Sequence, residues 1–142
     1  MEIRPASVDD LASIETLLHQ SGLPIVSVSD HLQNFVVAVE GYAICGCGGI
    51  EHYGDSALLR SIAVAEHARN SGLGLRIVSQ LTSTCRSLQV RSLVLLTTTA
   101  ENYFARQGFE RVARDDVPPL VLASRQFQSV CPGSAVSMVQ IL

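Results

Sequence analysis

A polar loop with two glycines, Arg69–Gly74, lies between an apolar strand pattern and a long amphipathic helix pattern. The start of a helix presents about four unpaired backbone N–H groups and a partial positive charge, which suits a pyrophosphate. Gly72 and Gly74 would let the backbone approach phosphates without a Cβ in the way, and Arg69 adds a cation. Glycines at a helix start are also ordinary turn residues, so the loop alone leaves a phosphate site and a plain turn open.

Two arginines are candidates for binding an anionic ligand. Arg60 lies in the apolar strand pattern, where a period of two puts it on the same face as Leu58, Ile62 and Val64. An arginine there needs an anion, which is either a carboxylate, phosphonate or arsinate of a ligand or an Asp or Glu in a structural ion pair. Arg125 is the second candidate, with a solvated surface position as its alternative.

The chain has four cysteines, Cys45, Cys47, Cys85 and Cys131. In the absence of an export signal they are expected to be reduced thiols. The Cys45-x-Cys47 spacing does not match a zinc knuckle, and no metal site is predicted. If both residues lie on one strand, they point to the same face, either as small buried hydrophobes or as part of a soft metalloid site.

The elements that would position these residues follow from hydrophobic periodicity and turn signals. The predicted order is αβββαβαβ, with a small helix before the last strand, which indicates an α+β fold around one mixed sheet. Ser7 is expected to cap the first helix, with Asp10 at a capping-box spacing. The other predicted helices are residues 29–32, 72–88, 101–107 and 118–125, and the predicted strands are 35–39, 42–51, 57–64, 91–97, 109–114 and 135–141.

Composition narrows the class of protein. The 142 residues fit a single domain, residues 1–142, and 47% are apolar. Since no apolar run reaches the roughly 18 to 20 residues of a spanning helix, and the N-terminus lacks a secretory layout, a soluble cytoplasmic protein is expected. The net charge of −3 and the absence of tryptophan argue against nucleic-acid binding and favour a small-molecule partner.

Two segments resemble the signatures of one enzyme family. Val64–Gly74 resembles the acetyl-CoA signature of the GNAT superfamily of N-acetyltransferases, and Phe104–Phe109 resembles its second signature, usually Tyr-x-x-x-Gly-Phe. The resemblance covers roughly Ile3 to Val112 and implies a three-layer α/β/α fold with a largely antiparallel sheet. It also implies acetyl-CoA as co-substrate, with contacts from Ile62, Ala63, Val64, Arg69, Asn70, Ser71, Gly72, Leu73, Gly74, Leu75, Thr97 and Phe104.

Two subfamilies have similar stretches. Ala57–Val64, Leu95–Glu101 and Ser124–Phe127, followed by Cys131-Pro132, look like N-acetyltransferases encoded with arsenic-resistance genes. The Leu-Thr-Thr-Thr stretch is also similar to the acetyltransferase domain of N-acetylglutamate synthases. Both imply an amino-acid-like amine acceptor, and similar proteins often pair through the tail after residue 131, which implies a homodimer.

The chain departs from the superfamily pattern at the catalytic positions. Leu58 stands where many relatives carry a glutamate base, and Phe104 stands where many carry the tyrosine that protonates the leaving thiolate. Glu51 is a substitute of the right type for the base, with a solvated hairpin end as its alternative. Tyr103 is the candidate acid, with a structural tyrosine as its alternative. Thr97 either contacts the cofactor or is a plain strand residue.

Three functions remain open on these grounds. The first is N-acetylation of a small amino-acid-like acceptor, including arsenic- or phosphorus-containing toxins. The second is acetylation of proteins or polyamines, which needs an acidic cleft to which only Glu51, Asp55 and Glu101 look placed to contribute. The third is a non-catalytic acyl-CoA sensor, which the missing glutamate and tyrosine would allow.

Overall fold

A computed structural model describes residues 1–130 and 133–142. All its strands belong to one seven-stranded sheet with the order β1-β2-β3-β4-β5-β7-β6. Only the β4–β5 pair is parallel, and the other neighbours are antiparallel. The strands are β1 Glu2–Pro5, β2 Phe35–Glu40, β3 Ala43–Tyr53, β4 Ser56–Val64, β5 Ser92–Thr97, β6 Glu110–Arg111 and β7 Val136–Ile141.

Helices cover both faces of this sheet. The α-helices are α1 Leu11–Gln20, α2 Leu73–Ser87, α3 Glu101–Ala105 and α4 Pro119–Leu122. Short 3₁₀ segments lie at Val8–Asp10, Ser29–Asn34, Glu66–Ala68 and Arg114–Asp116, and one π turn lies at Gln126–Val130. The predicted fold class, a mixed and largely antiparallel sheet between helical layers, is confirmed.

The core lies in two layers. On one face, α2 packs its buried side chains on the middle of the sheet, with Ile77 and Leu81 almost fully buried. On the other face, α1 contributes Ile14 and Leu18 to a second cluster, and α4 contributes Val121 to a third. The apolar spacing predicted for the first helix therefore forms a buried face, which is where most of its stabilisation arises.

Glycines in β3 let α2 lie close to the sheet. A Cβ on Gly48 would stand 2.6 Å from the Ile62 side chain and 2.7 Å from that of Ile77, which is closer than real contacts allow. Gly46 would likewise crowd Ile77 and Leu73. These glycines therefore mark the close approach of another element, which is α2.

A bulge in β4 reverses which of its side chains share a face. Ser61 has a φ of +62°, and the pairing of β4 with β3 shifts its register beside it. Leu58 therefore packs on the α4 side of the sheet, whereas Ile62 and Val64 pack on the α2 side. The expectation that Arg60 shares a face with Ile62 and Val64 was wrong, because one extra residue inverts the alternation.

A register shift in β3 separates the two neighbouring cysteines in the same way. Cys45 packs in the α2-side core and donates to the Ala38 carbonyl, whereas Cys47 packs on the α1 side and donates to the Ser61 carbonyl. The expectation that their side chains share a face was wrong. Their thiols do not converge on one metalloid, and Cys131 lies outside the described residues.

Some predicted element boundaries also changed. The sequence pattern missed β1, a four-residue strand whose side chains are mostly half-exposed or exposed, so that it lacks a clear apolar alternation. The strand predicted at 109–114 is only the two residues of β6, and the predicted helices at 101–107 and 118–125 shorten to α3 and α4. None of the helices within 1–130 and 133–142 has the length and apolar composition of a membrane span.

Candidate active site

A deep cleft opens where β4 and β5 separate. The two strands pair only from Ser56 to Leu58, opposite Ser92 to Val94, and the rest of β4 has no β5 partner. The cleft has a volume of about 1370 Å³ and is lined by β4, the end of β5, the loop before α2, α3 and residues 21–24. This volume exceeds that of common small-molecule pockets, about 300 to 1,000 Å³, and leaves room for two ligands.

The loop before α2 presents its main-chain amides to this cleft. Asn70 and Gly72 both have positive φ, +63° and +80°, so the chain turns through two left-handed residues before the helix begins. Among the described residues, none accepts a hydrogen bond from the N–H groups of residues 70–75, and the next amide, Arg76, bonds back to Gly72. Residues 69–72 are exposed. Such an open row of donors at a helix start fits a pyrophosphate.

The predicted cofactor residues line the cleft, with one exception. Ser71 does not line it, and its hydroxyl instead donates to the Ala68 carbonyl at 2.6 Å. Arg69 does line it, although its Nε donates to the Val64 carbonyl at 3.1 Å, which holds the side chain along the loop. The other predicted cofactor residues that line the cleft are Ile62, Ala63, Val64, Asn70, Gly72, Leu73, Gly74, Leu75, Thr97 and Phe104.

Thr97 and Phe104 also have structural roles at the end of β5. The Thr97 hydroxyl accepts a hydrogen bond from the Ala100 N–H at 2.9 Å, which caps the turn into α3. Phe104 is buried and packs edge-to-face on Phe109, with ring centroids 5.8 Å apart. The Phe104 ring therefore belongs to the core that supports α3, and it also forms part of the cleft wall.

Arg60 is tied to Glu51 in a buried ion pair. Its Nη1 donates to Glu51 Oε2 at 2.6 Å, and the two side chains are only 4% and 2% exposed. Its Nε donates to the Ser61 hydroxyl at 3.0 Å, while Nη2 lies 3.5 Å from the Pro24 carbonyl at the cleft wall. Arg60 is among the residues that line the cleft, and all three of its guanidinium nitrogens have partners in the protein.

Glu51 lies behind Arg60 and does not line the cleft. Its second oxygen accepts a hydrogen bond from the Tyr53 hydroxyl and lies 3.7 Å from His31 Nε2. Two effects raise the pKa of Tyr53 above its usual value: burial is the larger, and the hydrogen bond to Glu51 is the second. The phenol therefore stays protonated and donates. The solvated hairpin end considered for Glu51 is therefore wrong, and a base buried under an arginine has no direct path to an amine.

The other predicted residues are divided between the cleft and the surface. Tyr103 lines the cleft from α3. Arg125 is exposed and does not line it, whereas the buried side chain of the next residue, Gln126, does. Sequence reasoning missed Gln126 and the Ser61 bulge, because neither residue type signals its position.

Cations dominate the charged part of the cleft wall. The charged side chains that line it within the described residues are Arg60, Arg69, Arg86 and Arg106, and no carboxylate among those residues joins them. The wall therefore favours anionic ligands.

Comparison with known proteins agrees with this geometry. The family described as "Acetyltransferase (GNAT) domain" matches residues 31–111, which is more than half of the chain. The match includes β4, α3 and the loop before α2 whose amides are open, called the amide-rich loop below. The chain belongs to the GNAT acetyltransferase family. GNAT enzymes use acetyl-CoA as co-substrate, so the predicted enzyme class and co-substrate are confirmed.

Relatives of this GNAT chain are named for amino-acid acetylation. The amino-acid acetyltransferase of Vibrio cholerae is 25% identical over 99% of the chain, and that of Ralstonia nicotianae is 26% identical over 82%. The chain spans about a third of the length of these relatives, 33% and 28% respectively.

Two solved structures have the same fold. Rv2747 from Mycobacterium tuberculosis, in complex with CoA and NLQ, aligns with a TM-score of 0.84 and 22% identity over 100% of this chain and 99% of that one. N-acetylglutamate synthase from Neisseria gonorrhoeae, complexed with coenzyme A and N-acetyl-glutamate, gives 0.85 and 21% over 99% of this chain and 35% of that one.

Proposed function

We propose that this GNAT domain transfers an acetyl group from acetyl-CoA to the amine of a small amino-acid-like acceptor, whose anionic group binds Arg60. The observation that carries the proposal is the cleft itself, which has open main-chain amides at one end and a buried arginine in its wall. The amino-acid acetyltransferases among its relatives support the same class of acceptor.

The cofactor end of the cleft supports phosphate binding. The amides of residues 70–75 have no acceptor among the described residues, and Gly72 has open space around its Cα. Arg69 adds a positive charge beside them. These groups would hold the pyrophosphate of coenzyme A, while the β4 main chain beyond Leu58 would face its thioester arm. Amides of Ile62 or Val64 would then polarise the thioester carbonyl.

The acceptor end supports a carboxylate or a similar anion. Arg60 is held by Glu51 and Ser61, and its Nη2, 3.5 Å from the Pro24 carbonyl at the cleft wall, is the nitrogen that would meet the acceptor. A guanidinium held in this way binds an oxyanion with little loss of side-chain entropy. In this arrangement Glu51 is a positioning residue for Arg60.

The alternative of a polyamine or protein-lysine acceptor has less support. Glu51 is buried behind Arg60, and Glu101 is paired on the exposed surface with Arg111 at 2.9 Å. Asp55 does not line the cleft either. A cationic acceptor would meet arginines rather than carboxylates, which is unfavourable.

The chemistry requires a neutral amine that forms a new N–C bond as the C–S bond of acetyl-CoA breaks. The chain contributes binding, carbonyl polarisation and orientation of the amine, which together account for large accelerations in acyl transfer. The proton that leaves the amine passes to solvent, and the departing thiolate takes up a proton.

The test is an acetylation assay that detects the acetylated product by mass spectrometry. The panel contains the amino acids, their methyl esters, amino acids with a phosphinate or arsinate group, spermidine and a lysine peptide. We expect turnover of at least one free amino acid or its arsenic or phosphorus analogue. We also expect a loss of about 10- to 150-fold in kcat/KM for its methyl ester, since a charged hydrogen bond contributes about 1.5 to 3 kcal/mol.

Arg60→Met gives the matched comparison. This variant should lose the preference for the acid over the ester while its affinity for coenzyme A, measured by calorimetry, stays within twofold. Faster turnover of spermidine or the peptide than of any amino acid would contradict the proposed acceptor. Tight binding of acetyl-CoA with no turnover of any amine would favour an acyl-CoA sensor.

A further inference from the structure

Tyr103 reaches across the cleft from α3 to the start of α2. Its ring packs edge-to-face on Phe104, with centroids 5.1 Å apart, and Phe104 packs in turn on Phe109. Phe104 and Phe109 are both buried, so the Tyr103 ring rests on a fixed aromatic support. The hydroxyl is therefore held in a defined place and is not free to sweep the cleft.

That place is directly beside Gly74, in the first turn of α2. A Cβ built on Gly74 would stand 2.5 Å from the Tyr103 hydroxyl oxygen and 3.8 Å from the Val64 side chain. Because a bond from Cα is about 1.5 Å long, the hydroxyl oxygen is no more than about 4 Å from the Gly74 Cα. Glycine at position 74 therefore makes room for the hydroxyl group.

The surroundings of this hydroxyl are rich in donors. Residues 70–75 contribute amides that have no acceptor in the described parts of the chain, and no described residue forms a hydrogen bond with the Tyr103 hydroxyl. A phenol beside such a row of amides can add one more donor for the same anion.

We propose that the Tyr103 hydroxyl donates a hydrogen bond to a phosphate of coenzyme A, and that Tyr103 is a cofactor-binding residue rather than the acid that protonates the leaving thiolate. This inference rests on the proposed function, because it takes the amide-rich loop as the pyrophosphate site. The phosphates and the thiol of coenzyme A lie at opposite ends of the pantetheine arm. A hydroxyl at the first turn of α2 is therefore at the phosphate end and away from the sulfur.

The test compares Tyr103→Phe with the wild-type chain on ligands with and without phosphates. Calorimetry with coenzyme A should show a Kd about 10- to 150-fold weaker for the variant, as expected for one hydrogen bond to a charged group. The KM for acetyl-CoA should rise to a similar extent, with kcat within twofold. With S-acetylpantetheine, which lacks the phosphates, kcat/KM should be the same for both proteins.

Tyr42→Phe is the control, since Tyr42 is fully exposed at the β2–β3 turn and should leave every value unchanged. An equal loss of kcat on acetyl-CoA and S-acetylpantetheine would overturn the inference in favour of the acid role, and an unchanged Kd for coenzyme A would overturn it directly. If the wild-type chain itself does not bind coenzyme A, the proposed function fails, and the inference fails with it.

Discussion

Replacing Glu51 with glutamine would leave the buried guanidinium of Arg60 without its counter-charge. Both side chains are at most 4% exposed, and the pair is joined at 2.6 Å. Removing one partner of a buried pair costs about 3 to 5 kcal/mol, because the other charge stays desolvated and uncompensated. The total stability of a domain is about 5 to 15 kcal/mol, so Glu51→Gln should remove a large part of it.

The assay is urea denaturation, followed by circular dichroism, with Glu101→Gln as the control. Glu101 is paired with Arg111 on the surface, where the side chains are 36% and 68% exposed. An exposed pair is screened by solvent and contributes little to stability, so this control should unfold nearly as the wild-type chain does. If Glu51→Gln lowers the free energy of unfolding by less than about 1 kcal/mol, the pair is effectively solvated and the expected cost of burial is wrong.

A triple variant separates the stability of the pair from its proposed role in binding. Glu51→Leu and Arg60→Met remove both charges, and Tyr53→Phe removes the hydroxyl that would otherwise lose its acceptor. Replacing a whole buried ionic group by apolar side chains is often neutral or stabilising, so the triple variant should unfold within about 1 kcal/mol of wild type. It should still bind coenzyme A but lose the preference for a free carboxylate. A triple variant less stable than Glu51→Gln would contradict this account.

Three further outcomes follow from the structure. Gly72→Ala should lower the free energy of unfolding by about 1 to 2 kcal/mol, because the φ of Gly72 is +80°, and it should weaken coenzyme A binding in calorimetry. The control is Gly41→Ala, at a φ of +63° in a distant turn, which should lose stability without affecting binding. Asp10→Asn should lower stability by about 1 kcal/mol at neutral pH, and denaturation curves of the two proteins should converge as the pH falls from about 4 towards 2. The hydrogen bond from Arg4 lowers the pKa of Asp10 from 3.8 to about 2. The stabilising contribution of the Asp10 carboxylate is therefore present above about pH 4 and is lost on protonation. Burial raises the pKa of Cys47 to about 12 and that of Cys85 to about 11, so peptide mapping after N-ethylmaleimide treatment at neutral pH should find both unmodified in the native protein and modified in urea.

Features that depend on neighbours along the chain were predictable from the sequence. The amphipathic spacing of the first helix and of α2 depends on local conformational preference, as does the glycine pair before α2. Because a free helix start always presents its amides, the sequence allowed an anion site at Gly72 and Gly74 as well as a plain turn. The wider signature identified the family, which the family match confirms. Asn70 adopts the left-handed region, with a φ of +63°, which asparagine tolerates better than most residues.

Features that depend on pairing between distant segments required the tertiary structure. The bulge at Ser61 has no glycine to signal it, yet it puts Ile62 on the face opposite Arg60. The guanidinium of Arg60 meets Glu51 across the regular part of the β3–β4 pair. The position of Tyr103 beside Gly74 likewise depends on where the fold places α3 relative to the start of α2. Sequence periodicity reports which side of its own element a residue occupies, but a register shift or a contact between elements is set by the packing of the whole sheet. The place of Arg60 in the cleft wall therefore depends on the fold, while the glycine loop before α2 was already evident in the order of the residues.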